Sequence, residues 1–201
     1  MSKKNLLSVL IPSIEERADQ LIELKEKLRV ISDGYPVEII SLCDNRELSC
    51  GQKKECLIRM AQGEYIVIVD DDDTLRDDYF EQVIPVLELK PDCIGYLVEL
   101  VGMDPMRYAC ISTRYPEWCN NIDGFDLVRY THEKTPVKRI HALEAGLSWM
   151  RYHDDYCFSM NLKRCGKLNN EIFINEPLYI YRYEYHNDPQ TKYGFNKIYQ
   201  K

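Results

Sequence analysis

Four short runs rich in Val, Ile and Leu recur through the first hundred residues, and helical patterns lie between them. The runs are Leu6–Ile11, Val37–Leu42, Tyr65–Val69 and Cys93–Leu100, each of strand length. Between the first two, Leu21, Leu24, Leu28 and Ile31 recur at helical spacing. Ser13 with Glu16, and Ser49 with Gln52, have the spacing of capping boxes at two helix starts. A third helix is expected after Thr74, with Tyr79, Phe80, Val83, Ile84 and Leu87 on one face and Pro85 kinking or dividing it. Strands alternating with helices require crossover connections, so the chain is read as an α/β fold with a mainly parallel central sheet. The second half loses this rhythm and is richer in Tyr, Trp and His. With 201 residues and no Gly/Ser-rich linker, residues 1–201 are read as one domain, a ligand-binding half over 1–105 and an irregular half over 106–201.

Ligands on open parallel sheets gather at the carboxyl ends of the strands. Those ends read Pro12-Ser13, Cys43-Asp44-Asn45 and Asp70 to Asp73. The third is the most demanding: in "GEYIVIVDDDDTL" an apolar strand runs straight into four aspartates. Neighbouring carboxylates repel and raise one another's pKa. A divalent cation with hard oxygen ligands relieves this, and Mg²⁺ or Mn²⁺ held by one or two carboxylates keeps positions for phosphate oxygens. The cluster therefore points to a metal and a diphosphate-bearing ligand. A solvated acidic loop capping the next helix is the plain alternative. A calcium loop of the EF-hand type is another, but Leu75 stands where its sharp turn needs Gly, and a strand precedes the loop instead of a helix.

Composition narrows the field. The net charge of −7 gives no global attraction to nucleic acid or anionic membranes. No apolar stretch approaches a membrane span, and the basic start "MSKKNLLSVLIPS" is read as a first strand and not a signal peptide. The eight cysteines form no Cys-x-x-Cys pair, which argues against a zinc ribbon. Cys43 and Cys93 sit in apolar runs. A reduced, cytoplasmic protein is the expectation.

"SVLIPSIEER", "VEIISLCDN", "GQKKECLIRMAQGEYIVIVDDDDTL" and "INEPLYIYR", in that order, resemble family 2 glycosyltransferases of the GT-A fold. The closest flavour is that of small soluble members from phages and large DNA viruses, which would put the protein in a host cytoplasm. The resemblance implies a nucleotide-sugar donor, most simply a UDP-sugar, and a Mn²⁺ or Mg²⁺ cofactor. It assigns Pro12, Ser13 and with them Glu15 to the first nucleotide-contacting turn, and Asp44 to the base. Gly51, Lys53 and Lys54 match a segment that suits nucleotide phosphate or base. Asp70 and Asp72 match the Asp-x-Asp pair on ribose and metal; Asp71 is a neighbouring choice of register. Glu55 stands where the family often has Asn.

"RYHDDYCFSMNL" resembles the family's Gly-Glu-Asp-Tyr stretch and makes Asp155 the general base, with Asp154 as runner-up. An acceptor hydroxyl needs such a carboxylate to take its proton. A helix cap is the structural alternative for both. "RYTHEKTPVKRIHAL" gathers Arg129, His132, Lys134, Lys138, Arg139 and His141 into a basic patch, suited to phosphates of donor or acceptor or simply a solvated surface, from which the resemblance selects Lys138 as a donor ligand. The tail "LYIYRYEYH" puts Tyr179, Tyr181, Tyr183 and Tyr185 on one face, a platform for sugar or base or an ordinary amphipathic strand. His186 is a further candidate metal ligand. Together these imply an inverting metal-dependent glycosyltransferase acting on an acceptor hydroxyl, with a hydroxymethylated base in phage DNA among the candidates. A nucleotidyltransferase on a related sheet and a non-catalytic nucleotide- or sugar-binding module are the rival readings.

Overall fold

The computed structural model describes residues 5–102, 107–147 and 153–182. In chain order these form β1 (Leu7–Ile14), a 3-10 turn (Glu15–Arg17), α1 (Ala18–Ile31), β2 (Val37–Asp44), α2 (Cys50–Met60), β3 (Tyr65–Ile68), β4 (Thr74–Leu75), α3 (Tyr79–Glu88) and β5 (Cys93–Val101). There follow β6 (Arg107–Ile111), β7 (Cys119–Ile122), β8 (Phe125–Arg129), β9 (Val137–Lys138), α4 (Arg139–Ala145), α5 (Asp154–Cys165) and β10 (Glu171–Arg182).

One mixed sheet runs in the order β2-β1-β3-β9-β5-β6-β8-β7, with β10 on β5 and the short β4 on β10. Its longest ladders, β1 with β2 and β10 with β5, are parallel. The fold is thus α/β with a mixed, largely parallel centre. β3 and β5 do not pair directly, because β9 lies antiparallel between them.

Both faces of the central strands are buried, which is why they read as continuous apolar runs. Leu7, Val9, Ile11, Tyr65 and Val67 face α1 and α3, where Leu24, Leu28, Phe80 and Val83 complete one core. Leu10, Ile66 and Ile68 face the other way, against Leu57 of α2, Ala142 of α4, and Phe158 and Leu162 of α5. Helices therefore cover both faces, and the loops at the carboxyl ends of β1, β2 and β3 are left to form a crevice.

The capping box at Ser49 forms as expected, with Gln52 N–H donating to Ser49 Oγ and Ser49 N–H donating to Gln52 Oε1. The one expected at Ser13 does not. Ser13 continues β1, and α1 starts only at Ala18, without a side-chain cap. Pro85 lies inside α3 on its exposed side and does not divide the helix. All eight cysteines are free. Among the described residues, no helix is long and apolar enough to cross a membrane.

The turn into β3 needs a glycine. A Cβ on Gly63 would lie 2.7 Å from Ser8 N and 2.9 Å from the Leu7 carbonyl carbon, both main-chain atoms of β1. Gly63→Ala is accordingly expected to lower unfolding stability by about 1–3 kcal/mol through overpacking, read as a lower urea midpoint at unchanged slope.

Candidate active site

The loops after β1, β2 and β3, the segment before β9, and the start of α5 enclose a cleft of about 420 Å³. That volume is in the range of small-molecule sites. Its lining includes Pro12, Ser13, Arg17, Lys53, Lys54, Asp70, Asp71, Asp72, Glu133, Lys134, Asp154, Asp155 and Tyr181.

The four aspartates divide by burial. The side chains of Asp71 and Asp73 are 5% and 1% exposed, and both oxygens of each are committed. Asp71 accepts from Ser13 Oγ at 2.7 Å and from Arg17 Nη1 at 2.8 Å. Asp73 accepts from Tyr179 Oη at 2.7 Å, Lys134 Nζ at 2.8 Å and the Arg182 N–H at 3.0 Å. Asp70 and Asp72 are 28% and 45% exposed. Each gives one oxygen to a protein cation: Asp70 to Lys134, and Asp72 to Arg17 at 2.8 Å. Their second oxygens accept from no described side chain. Burial, then Asp70 and Asp73, push the Asp72 carboxyl above its usual range against the pull of Arg17. An ion pair as open as Arg17 with Asp72 is worth only about 0–1 kcal/mol.

This donor set suits a hard divalent cation. Among the described residues no three His, Cys, Asp or Glu side chains are gathered around one point. Two open carboxylates with phosphate oxygens completing the shell is nevertheless the usual arrangement for Mg²⁺. Asp70 and Asp72 are the residues placed to provide it. His186 lies outside the described residues, as do Tyr183 and Tyr185.

Lys134 was expected only as part of a basic patch, and its position follows from strand direction. Ile68 N–H donates to the Glu133 carbonyl at 2.7 Å, and Tyr65 pairs with Lys138. The chain therefore runs back along β3 from the crevice. Glu133 and Lys134 lie at the carboxyl end of β3. Lys138 lies at the other end, donating to Asp92 at 2.8 Å. Lys138 is thus not part of the crevice, contrary to the assignment from resemblance. Glu15, Asp44 and Gly51 do not line the cleft either. Asp44 instead accepts from the Leu48 N–H at 2.8 Å and pairs with Lys53, bracing the loop that follows β2. Lys53 also donates to the Ser13 carbonyl at 2.5 Å, tying α2 to β1.

Lys54 is buried between two acids, Glu133 Oε1 at 3.0 Å and Asp154 Oδ2 at 2.7 Å. Burial alone would raise the Glu133 carboxyl; Lys54, with His132 and Lys134, holds it well below the usual range. Burial, with Glu133 and Asp155 close by, pushes Asp154 up despite Lys54. Asp155, next along the first turn of α5, is half-buried and accepts from the Tyr156 N–H at 2.7 Å with Oδ1. Its other oxygen accepts from no described side chain. Glu133 and Arg17 were missed from the sequence. Both stand beside residues that were singled out, but their partners lie 79 and 54 positions away in the chain.

A doubly covered α/β sheet with an acid-rich, cation-braced cleft at its strand ends is the architecture of the GT-A fold. The profile of Glycosyl transferase family 2 matches residues 19–142, and the chain belongs to that family of nucleotide-sugar-dependent glycosyltransferases. Among curated proteins no sequence match was found. Among solved structures the chain resembles S. aureus TarS residues 1–349, with TM-score 0.60 at 12% identity over 88% of this chain and 60% of that one. The same TarS fragment in complex with UDP-GlcNAc gives 0.59 at 11% identity over 89% of this chain and 58% of that one. In complex with UDP it gives 0.61 at 11% identity, over 90% and 61%. This likeness concerns the fold, and the chain spans about 60% of the TarS fragment's length. These S. aureus structures lend no support to a phage or viral origin.

Replacing Lys54 by Met should destabilise the fold by about 3–5 kcal/mol at pH 7, since it strands two buried carboxylates without their cation. The depressed Glu133 pKa contributes stability that is fully present above the carboxyl's ordinary value and is lost progressively as pH falls from there toward the lower folded-state value. The deficit of Lys54→Met should therefore shrink below about pH 4.5. Urea unfolding of both proteins at pH 7 and pH 3.5 checks this; a deficit that grows in acid contradicts it.

Proposed function

We propose that the protein transfers a sugar from a nucleoside-diphosphate donor, a UDP-sugar in the first instance, to an acceptor hydroxyl with inversion at the anomeric carbon. The observation that carries this reading is the convergence on one cleft of two open carboxylates, Asp70 and Asp72, with a third, Asp155, supplied by a different element. UDP is the first choice of carrier because the similar TarS structures hold UDP-GlcNAc and UDP.

In this reading Asp70 and Asp72 would hold a Mn²⁺ or Mg²⁺ ion, which would supply positive charge to offset the negative charge developing on the departing diphosphate. Pro12 and Ser13 border the donor, and Lys53 keeps their strand end in place. Asp155 takes the proton from the acceptor hydroxyl as its oxygen bonds to the anomeric carbon. The bond from that carbon to the diphosphate oxygen breaks on the opposite face, and the nucleoside diphosphate leaves. Asp155 is preferred over Asp154 because Asp154 is buried against Lys54, whereas Asp155 keeps an oxygen for the acceptor. The acidic cleft and the net charge of −7 argue against duplex DNA as acceptor. Family membership sets aside a nucleotidyltransferase. A non-catalytic sugar-nucleotide binder is separated by turnover.

A thermal-shift screen of nucleotide sugars with and without Mn²⁺ tests the donor site, since a ligand at one hundred times its Kd stabilises the fold by about 2.7 kcal/mol. A metal-conditional response to one nucleoside diphosphate and its sugar is expected, and it should vanish in Asp72→Ala. Asp155→Asn should keep donor binding while kcat falls by roughly 10²–10⁴-fold. Near-normal turnover of that variant would remove Asp155 from the role.

A further inference from the structure

The two cations that brace the aspartates are held differently. Lys134 is 12% exposed. Its ammonium donates to Asp70, Asp73 and Tyr179 Oη, the last at 3.0 Å. The rings of Tyr179 and Tyr181 lie 4.8 and 5.2 Å away. An ammonium has three protons, so Lys134 is fully spent. Arg17 is 44% exposed and lines the cleft. Its Nη1 alone spans Asp71 and Asp72, at 2.8 Å to each. A guanidinium carries five N–H donors, and among the described residues Nε and Nη2 donate to no acceptor. Arg17 also stands on the 3-10 turn just beyond Ser13, at the strand end that borders the donor.

Resting on the donor reading above, we infer that Arg17 is an exchangeable cation. It occupies the Asp71–Asp72 edge while the cleft holds no ligand. It releases Asp72 when a divalent cation arrives and turns its planar donor fork to the donor's phosphates. Arginine suits this role because its fork matches phosphate oxygens in pairs. Asp71 keeps its bond from Ser13 throughout, so it stays fixed as Arg17 moves. Metal and nucleotide binding are then coupled through one side chain. The metal must displace Arg17 from Asp72, and the displaced guanidinium adds affinity for the nucleotide.

Calorimetric titration of the full chain with MnCl₂ alone, and with UDP, GDP, ADP and CDP at saturating Mn²⁺, tests this in wild type, Arg17→Gln and Arg17→Lys. Arg17→Gln should bind Mn²⁺ alone several-fold more tightly, because its competitor for Asp72 is gone. It should bind the preferred diphosphate roughly tenfold or more weakly, through loss of a charge-assisted hydrogen bond. Arg17→Lys, with charge but no fork, should fall between. Equal or weaker Mn²⁺ binding by Arg17→Gln, or unchanged diphosphate affinity, overturns the inference and leaves the donor reading standing. Failure of wild type to bind any of the four diphosphates overturns the donor reading and the inference with it. Matching circular-dichroism melts confirm that the half-exposed substitutions leave the fold intact.

Discussion

Negative charge at the end of a buried strand is the constraint around which this molecule is organised. Two unit charges 4 Å apart interact by about 4 kcal/mol at an effective dielectric of 20, so four adjacent carboxylates beyond β3 need compensation in the folded state. The cations come from far along the chain. Arg17 follows β1, and Lys134 precedes β9. Lys54, on α2, does the same for Glu133 and Asp154. Each such pair ties together segments that share no local structure, so assembling the site and closing the fold are largely the same event.

The pairs also sort the acids by duty. Asp71 and Asp73 are sealed and saturated, and they join β1, the segment before β9 and β10 to the end of β3. Asp70 and Asp72 remain half-open. A buried ion pair is poor evidence of net stability, because desolvation offsets most of the attraction. Geometry is what these pairs contribute. With Asp71 and Asp73 fixed on either side of Asp72, the loop has little freedom, and the two open carboxylates are presented from a rigid frame.

What the sequence disclosed follows from how local each signal is. β1, β2, β3 and β5 were legible because strands between helix layers leave uninterrupted apolar runs. The Ser49 box was legible because all its partners lie within four residues. The Ser13 box had the same spacing and failed, since Ser13 Oγ is taken by Asp71, 58 positions on. β9 has two residues, too few for any periodicity, yet its antiparallel course separates Lys134 from Lys138. Four residues of strand span roughly 13 Å, so two lysines of one apparent patch reach opposite ends of β3. The acid between the bases, Glu133, was hidden by the same reading of the segment as uniformly basic.

The choice between Asp154 and Asp155 likewise could not come from composition, as both are aspartates on the first turn of one helix. Tertiary packing separates them. Phe158 and Leu162 seat α5 on the face of β3 formed by Ile66 and Ile68, which holds the start of the helix over the carboxyl end of that strand. The rotation of α5 about its axis is then set by Ser159, which is fully buried, accepts from Trp118 Nε1 at 2.9 Å and donates to the Tyr130 carbonyl at 3.1 Å. Ser159 is five residues beyond Asp154, and successive helix positions are 100° apart. Fixing one residue therefore fixes both acids: Asp154 is turned inward to Lys54, and Asp155 toward the cleft. An apolar seat sets the height of Asp155, and one buried hydroxyl sets its bearing.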